Sequence, residues 1–93
     1  MKAYKDKDNK VRLFRADMNM ARMNKSMTRL AMPCIDNNDG FLQLIKQLVL
    51  LDKHWIPAKD GFSMYIRPFA FGSAPFLGVH ASENVKLGCI LSE

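Results

Sequence analysis

The sequence predicts an α+β fold, a mostly antiparallel sheet with two helices on one face. Three observations carry that expectation. Two short alternating segments near the start flank a polar turn. Two middle stretches repeat apolar residues every three to four positions. Two further alternating segments close the chain. The order β-β-α-α-β-β groups the helices, which fits helices packed against one side of a sheet. At 93 residues, the chain is expected to form a single domain that is partial (1–93). A chain of this size buries only about 60–65% of its unfolded surface.

The elements follow in order. Met1–Tyr4 reads as the end of a strand, and Lys5-Asp6-Lys7-Asp8-Asn9-Lys10 as a polar turn. Val11-Arg12-Leu13-Phe14 alternates, so a hairpin is predicted. Asp17 to Met32 is predicted helical, with Met20, Met23, Met27 and Leu30 on one face, Asp17 or Asn19 as cap and Pro33 as stop. Asn37-Asn38-Asp39-Gly40 reads as a loop. A second helix is then predicted from Phe41 to about Lys53, with Phe41, Leu44, Ile45, Leu48 and Leu51 or Asp52 on one face. Trp55-Ile56-Pro57 stops it, and Trp55 is expected to pack down as a core anchor. After the turn Lys59-Asp60-Gly61, Phe62 to Phe71 alternates as a strand. Pro68 cannot donate a ladder hydrogen bond, so the strand is an edge there or carries a bulge. Gly72-Ser73-Ala74-Pro75 and Gly78 form a constrained loop, and Val85 to Leu91 is the last strand.

Composition narrows the function classes. Hydrophobic content of 48% and charged content of 25% are those of a globular chain, not a disordered one. The longest uncharged stretch, Pro68 to Ser82, is interrupted by proline and glycine and is too short to span a bilayer. Met1 to Asp6 has no apolar h-region, so no secretory signal is expected, and the protein is expected to be intracellular, cytoplasmic or mitochondrial. Cys34 and Cys89 are far apart, with no CxxC, and His54 and His80 are isolated. No metal site is expected, and both cysteines read as reduced and partly buried. The net charge of +5 is concentrated early. Residues 1–30 hold nine Lys/Arg against three Asp, whereas residues 31–93 hold five Lys/Arg against six Asp/Glu. Such a basic third suits an anionic partner, or simply a solvated face.

Two constellations stand out. Arg22 is expected in the first helical turn, where the dipole disfavours a cation and bare N–H groups attract anions. It fits either a phosphate or carboxylate contact or a surface pair with Asp17. Tyr65 and Arg67 are i and i+2 on a strand and so share a face. Arg presents a planar fork to a carboxylate, and Tyr can hydrogen-bond beside it. Arg among aromatics also suits single-stranded nucleic acid, although Phe69 and Phe71 are as readily core and no RNP-like or GxxG motif is present. There is no GxSxG, Walker A or GxGxxG sequence. No catalytic residue is assigned.

Three stretches in register are more specific. They are Val11-Arg12-Leu13-Phe14-Arg15 leading to Asn19-Met20-Ala21-Arg22-Met23; Leu51-Asp52-Lys53-His54-Trp55-Ile56-Pro57; and Tyr65-Ile66-Arg67-Pro68 followed by Gly72, Pro75 and Leu77-Gly78-Val79. Together they resemble the branched-chain amino acid aminotransferases, fold-type-IV enzymes that use pyridoxal phosphate. The resemblance covers nearly the whole chain but only about a quarter of such an enzyme, within its small N-terminal domain. It implies that Arg22 holds the cofactor phosphate and that Tyr65 and Arg67 line the substrate site. It also implies that Leu77 and Val79 belong to a loop reaching the neighbouring subunit's substrate pocket, in a homo-oligomer.

The chain departs from the family at Ala16, where Pro is usual, and at Ala74-Pro75-Phe76-Leu77, where Glu-Pro-Ser-Leu is usual. The family's cofactor-bearing lysine has no counterpart among these residues, so pyridoxal phosphate would not be covalently bound by this chain, and the chain alone is expected to be inactive. The implied activity of the parent protein is transamination of leucine, isoleucine and valine with 2-oxoglutarate, with no nucleic acid or membrane partner. The alternative from the residues alone is a non-enzymatic anion- or RNA-binding α+β module.

Overall fold

A computed structural model describes residues 1–93. Strand β1 (Lys2–Lys5) and strand β2 (Val11–Leu13) form a hairpin, followed by helix α1 (Ala16–Arg29) and helix α2 (Asn38–Leu51). A 3-10 turn over Lys53–Trp55 leads to strand β3 (Met64–Gly72) and strand β4 (Val85–Ser92). The four strands pair antiparallel in the order β2-β1-β3-β4. The predicted fold class and element order are those observed.

The hairpin turn is organised by one carboxylate. Asp6 Oδ1 accepts from the N–H of Asp8 and Lys10, each at 2.9 Å, and Oδ2 accepts from Arg12 Nε at 2.8 Å. The Arg12 guanidinium, then the backbone donors, hold this carboxyl below its ordinary value. Asn9, at φ 61, supplies the left-handed residue of the turn.

One apolar cluster joins the layers. Ala3, Met64 and Ile66 on the inner sheet face meet Met20 of α1, Ile45 and Val49 of α2, and Ile56. Residues at i and i+2 on β3 alternate with Tyr65, Arg67 and Phe71, which are exposed on the opposite face. The helices therefore lie on one side of the sheet, as expected.

Several boundaries and packing expectations are corrected. Helix α1 begins at Ala16, not Asp17, and its N-cap is Arg15, in the left-handed region with no side-chain cap. Neither Asp17 nor Asn19 caps it. Helix α1 ends at Arg29, before Met32, and Leu30 at its cap is exposed rather than core. Helix α2 starts at Asn38, because Asn37 Oδ1 accepts from Gly40 N at 2.9 Å and caps it. Its buried residues are Ile45 and Val49, while Leu44 and Leu51 face solvent. Trp55 is 56% exposed, and the neighbouring Ile56 is the core anchor. Phe62 lies outside β3 and is exposed. Cys34 is exposed and Cys89 half-buried, both as free thiols.

Pro68 sits where its chemistry permits. Ile66 N donates to Met1 O at 2.9 Å, and the Met1 amine donates to Ile66 O at 3.2 Å. Two residues on, Pro68 faces the same side, beyond the last residue paired there. Its β4 partner is Cys89, and the β3–β4 register runs unbroken from Tyr65↔Ser92 to Gly72↔Val85. The strand is thus an open edge at Pro68, with no bulge.

Candidate functional site

The open edge of β3 creates a groove. Helix α1 lies alongside it, and together they enclose a cavity of 370 Å³. Arg22, Asn19, Ser26 and three methionines line it from α1 and its end; Tyr65, Arg67 and Phe69 line it from β3. The sequence-predicted residues Arg22, Tyr65 and Arg67 are therefore brought to one cavity by two separate elements.

No Asp or Glu lines this groove. The chain's one ion pair is Arg12–Asp6, so the alternative of an Arg22–Asp17 surface pair is excluded. Nor does Arg22 sit in the first helical turn. It lies six residues after Ala16, about 9 Å along the axis at the standard rise. The dipole argument for its placement fails, because it decays within the first turn. Arg22 has no ion-pair partner, and it lines a cavity without carboxylates. The Met1 amine, in the same groove, is lowered from its ordinary value first by burial and then by the charge of Arg22.

Tyr65 and Arg67 act as a unit. The Arg67 guanidinium carbon lies 5.2 Å from the Tyr65 ring centroid, and Arg67 Nε approaches the Tyr65 hydroxyl at 3.4 Å. With Nε donating to the phenol oxygen, the terminal nitrogens of Arg67 remain free. The Tyr65 O–H remains free to donate as well. Both side chains are exposed on one strand face. The flat outer face of α1 extends the positive charge through Arg22, Lys25 and Arg29.

Leu77 and Val79 are elsewhere. They project from the loop between β3 and β4 at 101% and 109% exposure and line no part of the groove. The Met-rich stripe of α1, which the sequence assigns to a core face in preference to an adaptable binding groove, does both: Met23 and Met32 line the groove, and Met27 both lines it and is buried. The helical Met spacing signalled a buried face but not its opening onto β3.

This chain is similar over nearly its whole length to a set of transaminases. It is 51% identical over 92 residues to branched-chain-amino-acid aminotransferase 2 of Bacillus subtilis (strain 168), covering 99% of this chain and 25% of that protein. It is 47% identical over 92 residues to the branched-chain-amino-acid aminotransferase of Monosiga brevicollis, covering 99% and 23%. The cytosolic branched-chain-amino-acid aminotransferase of Caenorhabditis elegans is 41% identical over 87 residues, at 94% and 21%. The chain is homologous to one segment of a branched-chain-amino-acid aminotransferase. It spans about a quarter of the length of the curated relatives it matches. No protein-family profile matches it. The groove between α1 and β3 thus lies in a segment similar to part of those aminotransferases, and no helix of the chain is long and apolar enough to cross a membrane.

Proposed function

We propose that this segment serves a branched-chain amino acid transaminase, and that its groove holds an anionic cofactor and an amino acid carboxylate. The observation that carries the reading is the meeting of Arg22 with Tyr65 and Arg67 in one cavity that no acidic residue lines. Two unpaired guanidinium groups can receive two anions, a phosphate and a carboxylate. The family's cofactor, pyridoxal phosphate, fits this donor set: Arg22 would hold its phosphate, and the cavity is within the usual range for small-molecule sites. When bound, that cofactor supplies an electron sink for the carbon that loses its proton.

The chain's own contribution is binding and orientation. Arg67 offers its terminal N–H groups to a substrate carboxylate, and Tyr65 donates its O–H beside them. The cation–π contact holds the guanidinium beside the Tyr65 ring. Pro68 and Ala70, on the same strand, give the groove an apolar wall for an aliphatic side chain. Leu77 and Val79 would complete that wall in a neighbouring subunit of a homo-oligomer. No lysine lines the groove, so the 93-residue chain alone is expected to give no glutamate from leucine and 2-oxoglutarate in the presence of pyridoxal phosphate. Similarity to aminotransferases over 99% of the chain, at 51% and 47% identity, supports this reading over an anion- or RNA-binding module. An intracellular location is part of the proposal.

The test is a chimera in which this chain replaces the homologous segment of the Bacillus subtilis relative. It should transaminate leucine, and Arg22→Ala should weaken pyridoxal phosphate retention more than tenfold. A charged hydrogen-bond partner contributes about 1.5–3 kcal/mol. Unchanged cofactor affinity in that variant would remove Arg22 from the site.

A further inference from the structure

The loop between β3 and β4 is fastened at two levels. At its base, Ser73 N donates to Asn84 O at 2.9 Å, extending the ladder past both strands. The Ser82 hydroxyl accepts from Ala74 N at 3.0 Å and donates to Asn84 O at 2.7 Å, bridging the two sides. Higher up, the rings of Phe76 and His80 stack with centroids 4.4 Å apart and planes at 25°. His80 Nδ1 lies 2.9 Å from Ala81 O. A carbonyl only accepts, so Nδ1 carries the proton and the ring orientation is fixed. Gly78, at φ 152, lets the backbone cross this stack; an added Cβ would lie 3.4 Å from His80 Cδ2.

The residues spanned by the stack are Leu77, Gly78 and Val79. Two apolar side chains are thus fully exposed at the tip of a loop that is closed beneath them. A free loop would lose backbone and side-chain freedom each time its tip docked. A loop already closed has lost that freedom on folding, and its tip binds more tightly.

We infer that Phe76 and His80 are positioning residues, an aromatic clasp that holds Leu77 and Val79 in the shape with which they contact the substrate side chain. The inference rests on the proposal that Leu77 and Val79 form part of a branched-chain substrate wall. Its first test needs no activity. In the 93-residue chain, NMR should show His80 ring protons shifted upfield by the Phe76 ring. Phe76→Ser should return them to unstructured values, and Phe76→Tyr should keep the shift. Unshifted His80 protons in the unaltered chain would overturn the clasp.

The second test is kinetic, in the chimera with the Bacillus subtilis aminotransferase. Phe76→Ser should raise the KM for leucine about two- to tenfold, the range an aromatic pair supplies. The kcat and pyridoxal phosphate retention should change little, and Phe76→Tyr should restore the KM. A clasp seen by NMR with no KM change in Phe76→Ser would overturn the positioning role. A clasp seen by NMR in a chimera inactive in every version would instead overturn the transaminase reading, and the substrate role with it.

Discussion

Ala31 closes α1 in a conformation that suits glycine. Its φ is 58, its N–H donates to Thr28 O at 3.0 Å, and Met32 N donates to Met27 O at 2.9 Å. That pair of bonds is the Schellman closure, with Ala31 at the left-handed position. A Cβ in that region costs about 1–2 kcal/mol, partly offset by the greater freedom of glycine when unfolded. Ala31→Gly is therefore expected to stabilise the chain by about 0.5–1 kcal/mol, read as a higher melting temperature. An unchanged or lower melting temperature would show that the turn bears no such strain. The two thiols differ at this scale as well. Burial raises the Cys89 thiol above its ordinary value, while Cys34 is exposed. Iodoacetamide at neutral pH should modify Cys34 first, and mass mapping of the singly alkylated chain checks the order.

Among the elements, the hairpin depends on one ionised group. The Asp6 carboxyl is held low by Arg12 and by backbone donors. A group whose folded value is depressed contributes stability above its unfolded value, and loses it as pH falls through the folded one. The β1–β2 amides should therefore gain hydrogen-exchange protection as pH rises through the carboxylate range, and Asp6→Asn should flatten that dependence. A hairpin equally protected below that range would show that the backbone alone holds the turn. The β3–β4 ribbon depends on a missing side chain. A Cβ on Gly88 would lie 2.5 Å from the tip of the Phe69 ring, which lies across it and stacks on Phe71 at 6.1 Å. Gly88→Ala is expected to cost about 1–2 kcal/mol as the ring is displaced, measured by thermal melting.

The elements also differ in how far the sequence revealed them. Strand β3 was legible through its period of two, and Pro68 marked it as an edge or a bulge, between which the unbroken register with β4 decides for the edge. The groove that edge creates was not legible, because alternation says which face a residue occupies and not what lies beside it. The first-turn argument for Arg22 does not hold: with Arg15 as cap, α1 starts earlier than the polar residues suggest. Helix α2 has a narrow polar face, Gln43, Lys46 and Gln47, and is apolar over the rest from Phe41 to Leu51. Periodicity therefore could not choose Val49 over Leu44, and packing against the sheet did.

For the whole molecule, shape decides. A compact chain of this length has a radius of gyration near 12 Å, whereas this one measures 15.4 Å, with extents of 49 × 24 × 20 Å. It exposes 7218 Å², against about 5,500 Å² expected for a folded monomer of its mass. The difference is about twice the area that a standard protein interface removes from each partner. Its apolar part lies on the outer sheet face at Phe71 and Ile90, on the loop at Leu77 and Val79, and on the helices and their ends at Leu30, Leu44, Leu51 and Trp55. Only eight of 93 residues are buried, so the core leaves little margin to keep such surface in water. The net charge of +5 opposes association, but at physiological salt its reach is about 8 Å. The chain is therefore expected to self-associate at micromolar concentration. Light scattering coupled to size exclusion should give a mass above 10.6 kDa, falling towards it on dilution. A monomer at all concentrations, with one cooperative melt, would show that the uncovered sheet face and loop are tolerated in water and that the excess surface seeks no partner.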